Sequence, residues 1–140
     1  MIKFFNSEID FSLKSKNKYT SWILSTFKSE NIIKDIELSV VFCSDDALLK
    51  INQSFLGHDY YTDIITFPIE ETDKVLEAEL YISIDRIKDN ATKEKVSFYK
   101  ELNRVIIHGV LHLCGYGDKT EQQIKTMRSK EDFYLFLFLR

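Results

Sequence analysis

The spacing of apolar and polar residues along the chain predicts an alternation of strands and helices. Short apolar or alternating stretches, rich in β-branched and aromatic residues, predict four strands at residues 1–5, 35–43, 62–69 and 78–84. Apolar residues repeated every three or four positions predict five helices at residues 18–31, 44–57, 85–95, 97–114 and 120–138. The order β-α-β-α-β-β-α-α-α predicts an α+β fold, a single domain whose mixed sheet of about four strands is packed with helices.

Residues that favour helix ends support two of these helices in particular. Ser44 precedes two acidic residues and is expected to cap the second helix, which Gly57 would end. Ser97 is expected to cap the long fourth helix, and Gly115 offers the left-handed conformation that commonly follows a helix. Both helices therefore carry a signal at each end.

Three other stretches carry weaker or irregular signals. Pro68 cannot donate a hydrogen bond to a neighbouring strand, so it predicts an edge or terminal position for the third strand. The acidic stretch at 70–77 is predicted to be a turn or loop. The apolar end of the chain, FYLFLFLR at 133–140, is too short to span a membrane and is expected to be a helix end docked on the core.

The bulk composition is that of one soluble globular domain, covering residues 1–140. The chain is 44% hydrophobic and 29% charged, and it contains no internal repeat and no Gly- or Ser-rich linker. Its net charge of -3 excludes a basic footprint over the whole molecule. Any contact with nucleic acid would therefore depend on a local patch.

The cysteines and the hydropathy profile narrow the expected compartment. Cys43 and Cys114 lie far apart in a chain without a signal peptide, so no disulfide is expected and the cytoplasm is the simplest compartment. No apolar run approaches the roughly 18 residues that a membrane span requires. No membrane partner is expected.

The stretch HGVLHLCGYGD, residues 108 to 118, carries the chemistry. His108 and His112 are four residues apart, so a helix presents both imidazoles on one face. Gly115 ends the helix, and Asp118 then offers a carboxylate oxygen. The pattern H-x3-H-x2-G-x2-D resembles a catalytic zinc motif in which three protein ligands leave a fourth position for water. We therefore expect one zinc ion (Zn²⁺) per chain, with a metal-bound water as the nucleophile.

Structural alternatives exist for each of these residues. A single histidine in an apolar helix is more often a hydrogen-bonded core residue than a ligand, but two histidines followed by a glycine and a carboxylate favour metal binding. Asp118 could instead cap the last helix. Cys114 lies about 200° around the helix from His112, so it is expected to face the core rather than the metal.

The residues around the motif indicate which reactions it favours. Zinc peptidases use a glutamate directly after the first histidine as general base, and this chain has Gly109 there, which argues against peptidase chemistry. A zinc-bound water acidified to a pKa of about 7 suits attack on a phosphodiester. Glu101 and Arg104 lie on the same helical stripe and could bond a histidine's second nitrogen or a substrate phosphate; a surface salt bridge between them is the alternative.

The stretch HGVLHLCGY, together with NQSF at 52–55, TDIITFP at 62–68 and MRSKE at 127–131, resembles the YbeY family of metal-dependent endoribonucleases. The resemblance covers about residues 38 to 135. It implies a zinc-binding α+β domain in the bacterial cytoplasm and a single-strand-specific endoribonuclease. It also implies action at the 3′ end of small-subunit (16S) rRNA, a role in ribosome quality control, and single-stranded RNA and the small ribosomal subunit as partners.

This chain departs from the family pattern at two positions. The family's third histidine falls on Asp118, which keeps an oxygen donor but changes the charge at the metal. An arginine of the family's first motif, suited to a phosphate, falls on Leu56. His58, Lys119 or Arg104 could supply the missing positive charge, and each has a solvated surface position as its alternative.

The remaining candidates lie on the third strand and the last helix. Asp63 and Thr66 match polar positions of the family motif and could line the cleft, although neither needs a functional explanation. The last helix carries a modest basic stripe that could contact RNA or the ribosome, with a solvated face as the alternative. The stripe consists of Lys119, Lys125, Arg128 and Lys130.

The sequence therefore favours a zinc-dependent hydrolase of single-stranded RNA, with His108, His112 and Asp118 as ligands and His58, Asp63 and Lys119 as candidate substrate contacts. Two alternatives remain at this point. One is a metal-dependent hydrolase or peptidase with another substrate. The other is a ribosome-associated assembly factor whose metal is structural and whose nuclease activity is weak.

Overall fold

The computed structural model describes residues 1–139, and Arg140, the last residue of the predicted apolar tail, lies outside them. The elements follow the predicted order β-α-β-α-β-β-α-α-α. The strands are β1 (Ile2–Ser7), β2 (Asp35–Cys43), β3 (Ile64–Glu71) and β4 (Val75–Ser83). The helices are α1 (Lys16–Ser29), α2 (Asp45–Leu56), α3 (Ile84–Glu94), α4 (Phe98–Leu113) and α5 (Glu121–Phe138).

The four strands form one mixed sheet in the order β1-β2-β4-β3. β1, β2 and β4 are parallel, while β3 pairs with β4 in the antiparallel direction and occupies an edge. The register of β3 shifts between Pro68 and Glu70, as expected where a proline interrupts an edge strand. The α+β class, the mixed four-stranded sheet and the edge position of Pro68 are confirmed.

The residues predicted to end helices do so by specific contacts. The Ser44 side chain accepts a hydrogen bond from the Ala47 backbone N–H, and Gly57 ends α2 with a φ of 68°. Ser97 caps α4 in the same way, and Gly115 follows it with a φ of 105°. These caps fix where α4 begins and where the chain turns away from it.

The prediction of a turn or loop at 70–77 is wrong for most of that stretch. Glu70 and Glu71 belong to β3 and pair with β4, so the turn is confined to residues 72–74, where the Thr72 hydroxyl accepts from two backbone N–H groups. The acidic side chains are tolerated because β3 is an edge strand that reaches solvent, and Lys34 Nζ lies 2.6 Å from a Glu71 oxygen. The strand predicted at 78–84 accordingly begins three residues earlier, at Val75.

The core lies between one face of the sheet and helices α1, α4 and α5. Alternate residues of β2 and β4 point into it, and α4 contributes several buried apolar side chains, among them Leu102, Ile106 and Val110. Gly109 lies where α4 packs closely on the sheet, since a Cβ there would lie 2.7 Å from Ile64 Cδ1 and 2.9 Å from Leu80 Cδ2. This close packing places α4 against the first residue of β3.

The last helix docks on the core along part of its length. Tyr134 is buried, and the Phe138 ring packs 4.7 Å from the Trp22 ring, whereas Phe133 and Phe136 are exposed. The expectation of a core-docked tail is thus met on one face of α5. No helix within residues 1–139 is long and apolar enough to cross a membrane. Both cysteines are free thiols, as expected.

Candidate metal centre

Helix α4 and the turn after it bring His108, His112 and Asp118 together. The two histidines lie one turn apart on the face of α4 that leaves the core, and both are half-buried. The positive φ of Gly115 then turns the chain back, so that Asp118 returns to the histidine face. Thr120, rather than Asp118, caps α5, and its side chain accepts from the Gln123 N–H. The Asp118 carboxylate is therefore not engaged in the cap.

The three potential ligand atoms form a nearly equilateral triangle. His108 Nε2 and His112 Nε2 lie 2.9 Å apart, and Asp118 Oδ2 lies 3.3 Å and 3.2 Å from them. Zinc bonds of about 2.1 Å at tetrahedral angles place neighbouring ligand atoms about 3.3 Å apart. Two imidazole nitrogens and one carboxylate oxygen are also ligand types that zinc prefers. The three residues could hold a metal ion, and the donor set fits zinc.

The outer nitrogens of both imidazoles are held by hydrogen bonds that leave the inner nitrogens as acceptors. His112 Nδ1 lies 2.8 Å from the Tyr116 carbonyl oxygen, which can only accept, so Nδ1 carries the proton. His108 Nδ1 lies 2.7 Å from Glu131 Oε2 and donates to it in the same manner. When both imidazoles are neutral, the Nε2 lone pairs and the Asp118 oxygen face one another, and a proton or a metal cation between them relieves the repulsion.

Electrostatics around His108 favour positive charge. Burial opposes protonation of its imidazole, but the nearby carboxylates of Glu131, Asp118 and Asp63 outweigh this effect and raise the pKa of His108. The same carboxylates would stabilise a bound cation.

Glu131 is the contact that sequence reasoning missed. It is 4% exposed, and its second oxygen accepts from Arg104 Nη1 at 2.8 Å, while Arg104 Nη2 reaches Asp132 at 2.8 Å. Arg104 therefore acts one contact away from His108, and Glu131, rather than Glu101, holds the histidine. The available signal was the stretch MRSKE, which contains Glu131, but its contact with α4 depends on how two helices pack.

The turn that carries Tyr116 is anchored to two other helices. The Tyr116 hydroxyl donates to Glu30 Oε1 at 2.6 Å, at the end of α1. The other Glu30 oxygen accepts from the Tyr134 hydroxyl and, at 3.2 Å, from Lys130 Nζ. Burial opposes ionisation of Glu30, but these three donors outweigh it and lower the pKa of the carboxyl. The carbonyl that orients His112 is therefore fixed from α1 and α5.

The predicted basic stripe of α5 is partly engaged within the protein. Lys130 binds Glu30, and Arg128 Nη1 lies 3.7 Å from Glu131. Lys125 and Lys119 are exposed.

A small acidic pocket of about 290 Å³ lies beside His108 and contains Asp63 and Glu101. Burial raises the pKa of Asp63 despite the opposing influence of His108, and Asn90 Nδ2 donates to its carboxylate at 3.3 Å. Burial and the neighbouring Asp63 carboxylate raise the pKa of Glu101. Both predicted residues thus lie near the triad, and the carboxyl group of each is less easily ionised than in water.

A larger cleft, about 700 Å³ in volume, also includes the triad. Besides His108, His112 and Asp118, its lining includes Leu56 at the end of α2 and His58 in the loop that follows. The cleft also includes Asp63, Thr66 and Pro68, which belong to the TDIITFP stretch, and Lys119, which follows Asp118. The structure therefore brings the three candidate substrate contacts to one cleft.

Two other sequence expectations have clear outcomes in this region. Position 109 faces the sheet with no room for a Cβ atom, so it offers no place for a general base. Cys114 packs partly against the core, and burial raises the pKa of its thiol to about 12, which disfavours the thiolate that binds metals. The expectation that Cys114 faces the core is confirmed.

Comparisons with known proteins place this geometry in a family. A family model described as "Endoribonuclease YbeY" matches residues 1–138. A protein named Endoribonuclease YbeY from Flavobacterium psychrophilum is 47% identical over 134 residues, which are 96% of this chain and 94% of that protein. One from Karelsulcia muelleri is 48% identical over 130 residues, covering 92% of this chain and 90% of that protein.

A solved structure gives the same result for the fold. The solution structure of a protein from Thermotoga maritima matches with a TM-score of 0.63 and 30% identity, covering 96% of this chain and 87% of that one. The resemblance found in the motifs thus extends over nearly the whole chain, in sequence and in three dimensions. The chain belongs to the YbeY family.

Proposed function

We propose that this chain is a zinc-dependent endoribonuclease of single-stranded RNA, in which His108, His112 and Asp118 hold one zinc ion. The observation that carries the proposal is the convergence of three lone-pair atoms, all within 3.3 Å of one another, at the edge of an open cleft. Family membership supports endoribonuclease activity, since the curated relatives carry that name.

The residues of the chain prepare the site for this chemistry. Zinc with three protein ligands supplies, when bound, a Lewis acid and a water with a pKa near about 7. Glu131 and the Tyr116 carbonyl accept from Nδ1 of the two imidazoles, which leaves Nε2 of each neutral ring as the atom that can bind the metal. Arg104 holds Glu131, and Glu101 lies in the adjoining pocket. Arg104 and Glu101 are proposed to support the site, and the nucleophile is proposed to be a water rather than a protein side chain.

Substrate contacts are proposed on the walls of the large cleft. Lys119 follows Asp118 directly and is exposed, so its ammonium group can meet a phosphate close to the metal ligands. His58 and Asp63, the residue directly before β3, line the same cleft. A phosphodiester bound at the metal ligands would therefore lie in the cleft that contains all three residues.

The biological role is proposed from the family. The relatives are bacterial proteins named endoribonucleases. We place the activity in the bacterial cytoplasm, at the 3′ end of 16S rRNA and in ribosome quality control, with the small ribosomal subunit as partner. The whole chain, residues 1–140, would form one metallohydrolase domain.

One observation favours a second candidate function, a ribosome-assembly factor with a structural metal. Among the cleft-lining residues of the described chain, Lys119 is the one Lys or Arg, and it stands against the carboxylates of Asp63, Glu71 and Asp118. A cleft with so little positive charge gives weak phosphate binding, which would limit catalysis more than metal binding.

The first test measures metal and cleavage together. Purified wild-type protein is expected to contain about one zinc per chain, and His112→Ala is expected to lose it, whereas His58→Ala, outside the triad, retains it. Zinc-loaded wild-type protein should cleave a labelled single-stranded oligoribonucleotide, and a chelator should stop the cleavage.

The outcomes separate the candidates. Equal zinc content in wild type and His112→Ala would contradict the metal site. A zinc-loaded chain that never cleaves RNA but sediments with small ribosomal subunits would support the assembly factor instead.

A further inference from the structure

The large cleft that contains the metal ligands also carries a pair of exposed rings. His58 and Tyr60 lie with their ring centroids 5.1 Å apart, and the Tyr60 hydroxyl lies 3.0 Å from His58 Nδ1. Tyr60 is 51% exposed, and both residues line the 700 Å³ cleft that also contains His108, His112 and Asp118. Neither ring belongs to the hydrophobic core or to the candidate metal ligands within residues 1–139.

The loop that carries this pair is held in place from below. Asn52, 2% exposed, donates from Nδ2 to the Tyr60 carbonyl at 2.9 Å, and its own carbonyl accepts from the His58 N–H at 3.1 Å. Gln53 Nε2 reaches the Asp59 carboxylate at 2.5 Å. The rings are therefore positioned before any ligand arrives, which reduces the ordering cost of binding to them.

The few positive charges in the cleft favour contact with a base rather than with a phosphate. Lys119 is the one Lys or Arg among the cleft-lining residues within 1–139, and the cleft also contains the carboxylates of Asp63 and Asp118, while that of Glu71 is paired with Lys34. Leu56, 43% exposed, adds apolar surface beside the rings. Phosphates find little charge complementarity here, whereas a base can stack on an aromatic face with a gain of about 1–3 kcal/mol.

We propose that His58 and Tyr60 form a stacking platform that binds an unpaired base of single-stranded RNA, placing the adjoining phosphodiester over the metal ligands. The proposal rests on the proposed function for the identity of its ligand. Recognition through the base lets a cleft with one lysine among its described lining residues bind RNA with few phosphate contacts. It also predicts a selectivity for unpaired nucleotides, since a base inside a duplex offers no free face to the platform.

The test is equilibrium binding of a fluorescein-labelled single-stranded oligoribonucleotide to the zinc-loaded protein. Tyr60→Ala is expected to raise the Kd about 5- to 100-fold, the equivalent of one lost stacking contact. Tyr60→Phe, which keeps the ring and removes the hydroxyl, is expected to recover most of the affinity. Tyr61→Ala is the matched control, because Tyr61 is 50% exposed but bonds Asp46, outside the cleft, and its Kd should change less than about twofold.

A salt titration supplies an independent measurement. A single strand contributes a slope of about -0.7 per phosphate contact in log K against log salt, so contacts at Lys119 and at the metal centre predict a slope no steeper than about -1.5. A slope steeper than about -3 would assign binding to phosphate contacts and overturn the platform.

Binding and cleavage together distinguish the platform from the proposed function. An unchanged Kd in Tyr60→Ala, with wild-type binding intact, overturns the platform alone. Binding that falls in Tyr60→Ala without any cleavage by the wild type supports the platform and contradicts the nuclease. Absence of binding by the wild type overturns both.

Discussion

The hydrogen bond from Glu131 to His108 provides the sharpest test of the metal centre. Glu131→Gln keeps the size of the side chain and removes its charge. In the wild type, His108 Nδ1 donates to the Glu131 carboxylate at 2.7 Å, between α4 and α5, where the Glu131 side chain is 5% exposed. In Glu131→Gln, His108 Nδ1 can donate only to a neutral amide oxygen.

The structure sets the expected size of the effect. A hydrogen bond to a buried charged partner contributes about 1.5–3 kcal/mol and a neutral one about 1 kcal/mol, so the substitution removes about 0.5–2 kcal/mol of ligand orientation and basicity. This loss corresponds to a Kd for zinc about 2- to 30-fold weaker. Replacing the hydrogen-bond partner of a metal-binding histidine typically costs about 10- to 100-fold in metal affinity, which overlaps the upper part of this range.

The assay is competition for zinc with a chromophoric chelator, with urea unfolding of the metal-free protein as a measure of stability. Asp132→Asn is the matched control, because Asp132 binds the same Arg104 at 2.8 Å but is 60% exposed and does not contact His108. Its zinc Kd should stay within about twofold of wild type, and its stability should fall by less than about 1 kcal/mol. The reasoning is refuted if Glu131→Gln leaves the zinc Kd unchanged, or if Asp132→Asn weakens it equally.

Four further outcomes are expected. Gly109→Ala should destabilise the protein by about 1–3 kcal/mol in urea unfolding, because the new Cβ would lie 2.9 Å from Leu80; a gain in stability would contradict the close approach. Asp118→Ala should weaken zinc binding at least about tenfold in the chelator assay, whereas Asp118→His should retain it. Leu56→Arg should tighten RNA binding and steepen the slope of log K against log salt by about 0.7; an unchanged slope would mean that position 56 does not contact a phosphate of the bound RNA. Free zinc at 100 times its Kd should stabilise the wild type by about 2.7 kcal/mol in urea unfolding, and His112→Ala should show no such gain.

Local signals account for the elements that the sequence predicted well. Helix α2 is bounded by Ser44 and Gly57, whose hydrogen bonding and backbone freedom are properties of the residues themselves. The sequence predicts β3 and β4 but ends them too far from their turn, because Glu70 and Glu71 have low strand propensity and pairing along an edge strand overrides propensity. The local sequence carries no information on which strand pairs with these two residues.

The candidate metal centre divides in the same way. The positions of His108 and His112 follow from helical periodicity, and the return of Asp118 follows from a glycine with positive φ. Glu131 and the Tyr116 carbonyl, which hold the histidines, depend on the crossing of α4 with α5 and on the turn between them. Periodicity along one helix carries no information on what the neighbouring helix presents to it.

Two residues lower the positive charge of the cleft. Asp118 contributes a carboxylate, so the three candidate ligands carry one negative charge and a divalent cation bound there would leave a single net positive charge. Leu56, where the motif resemblance predicts an arginine, adds exposed apolar surface to the cleft instead. Both residues limit the attraction for phosphate, so an RNA substrate is expected to draw more of its binding energy from another part of the nucleotide. The exposed ring pair of His58 and Tyr60, fixed by buried Asn52, is placed to supply it.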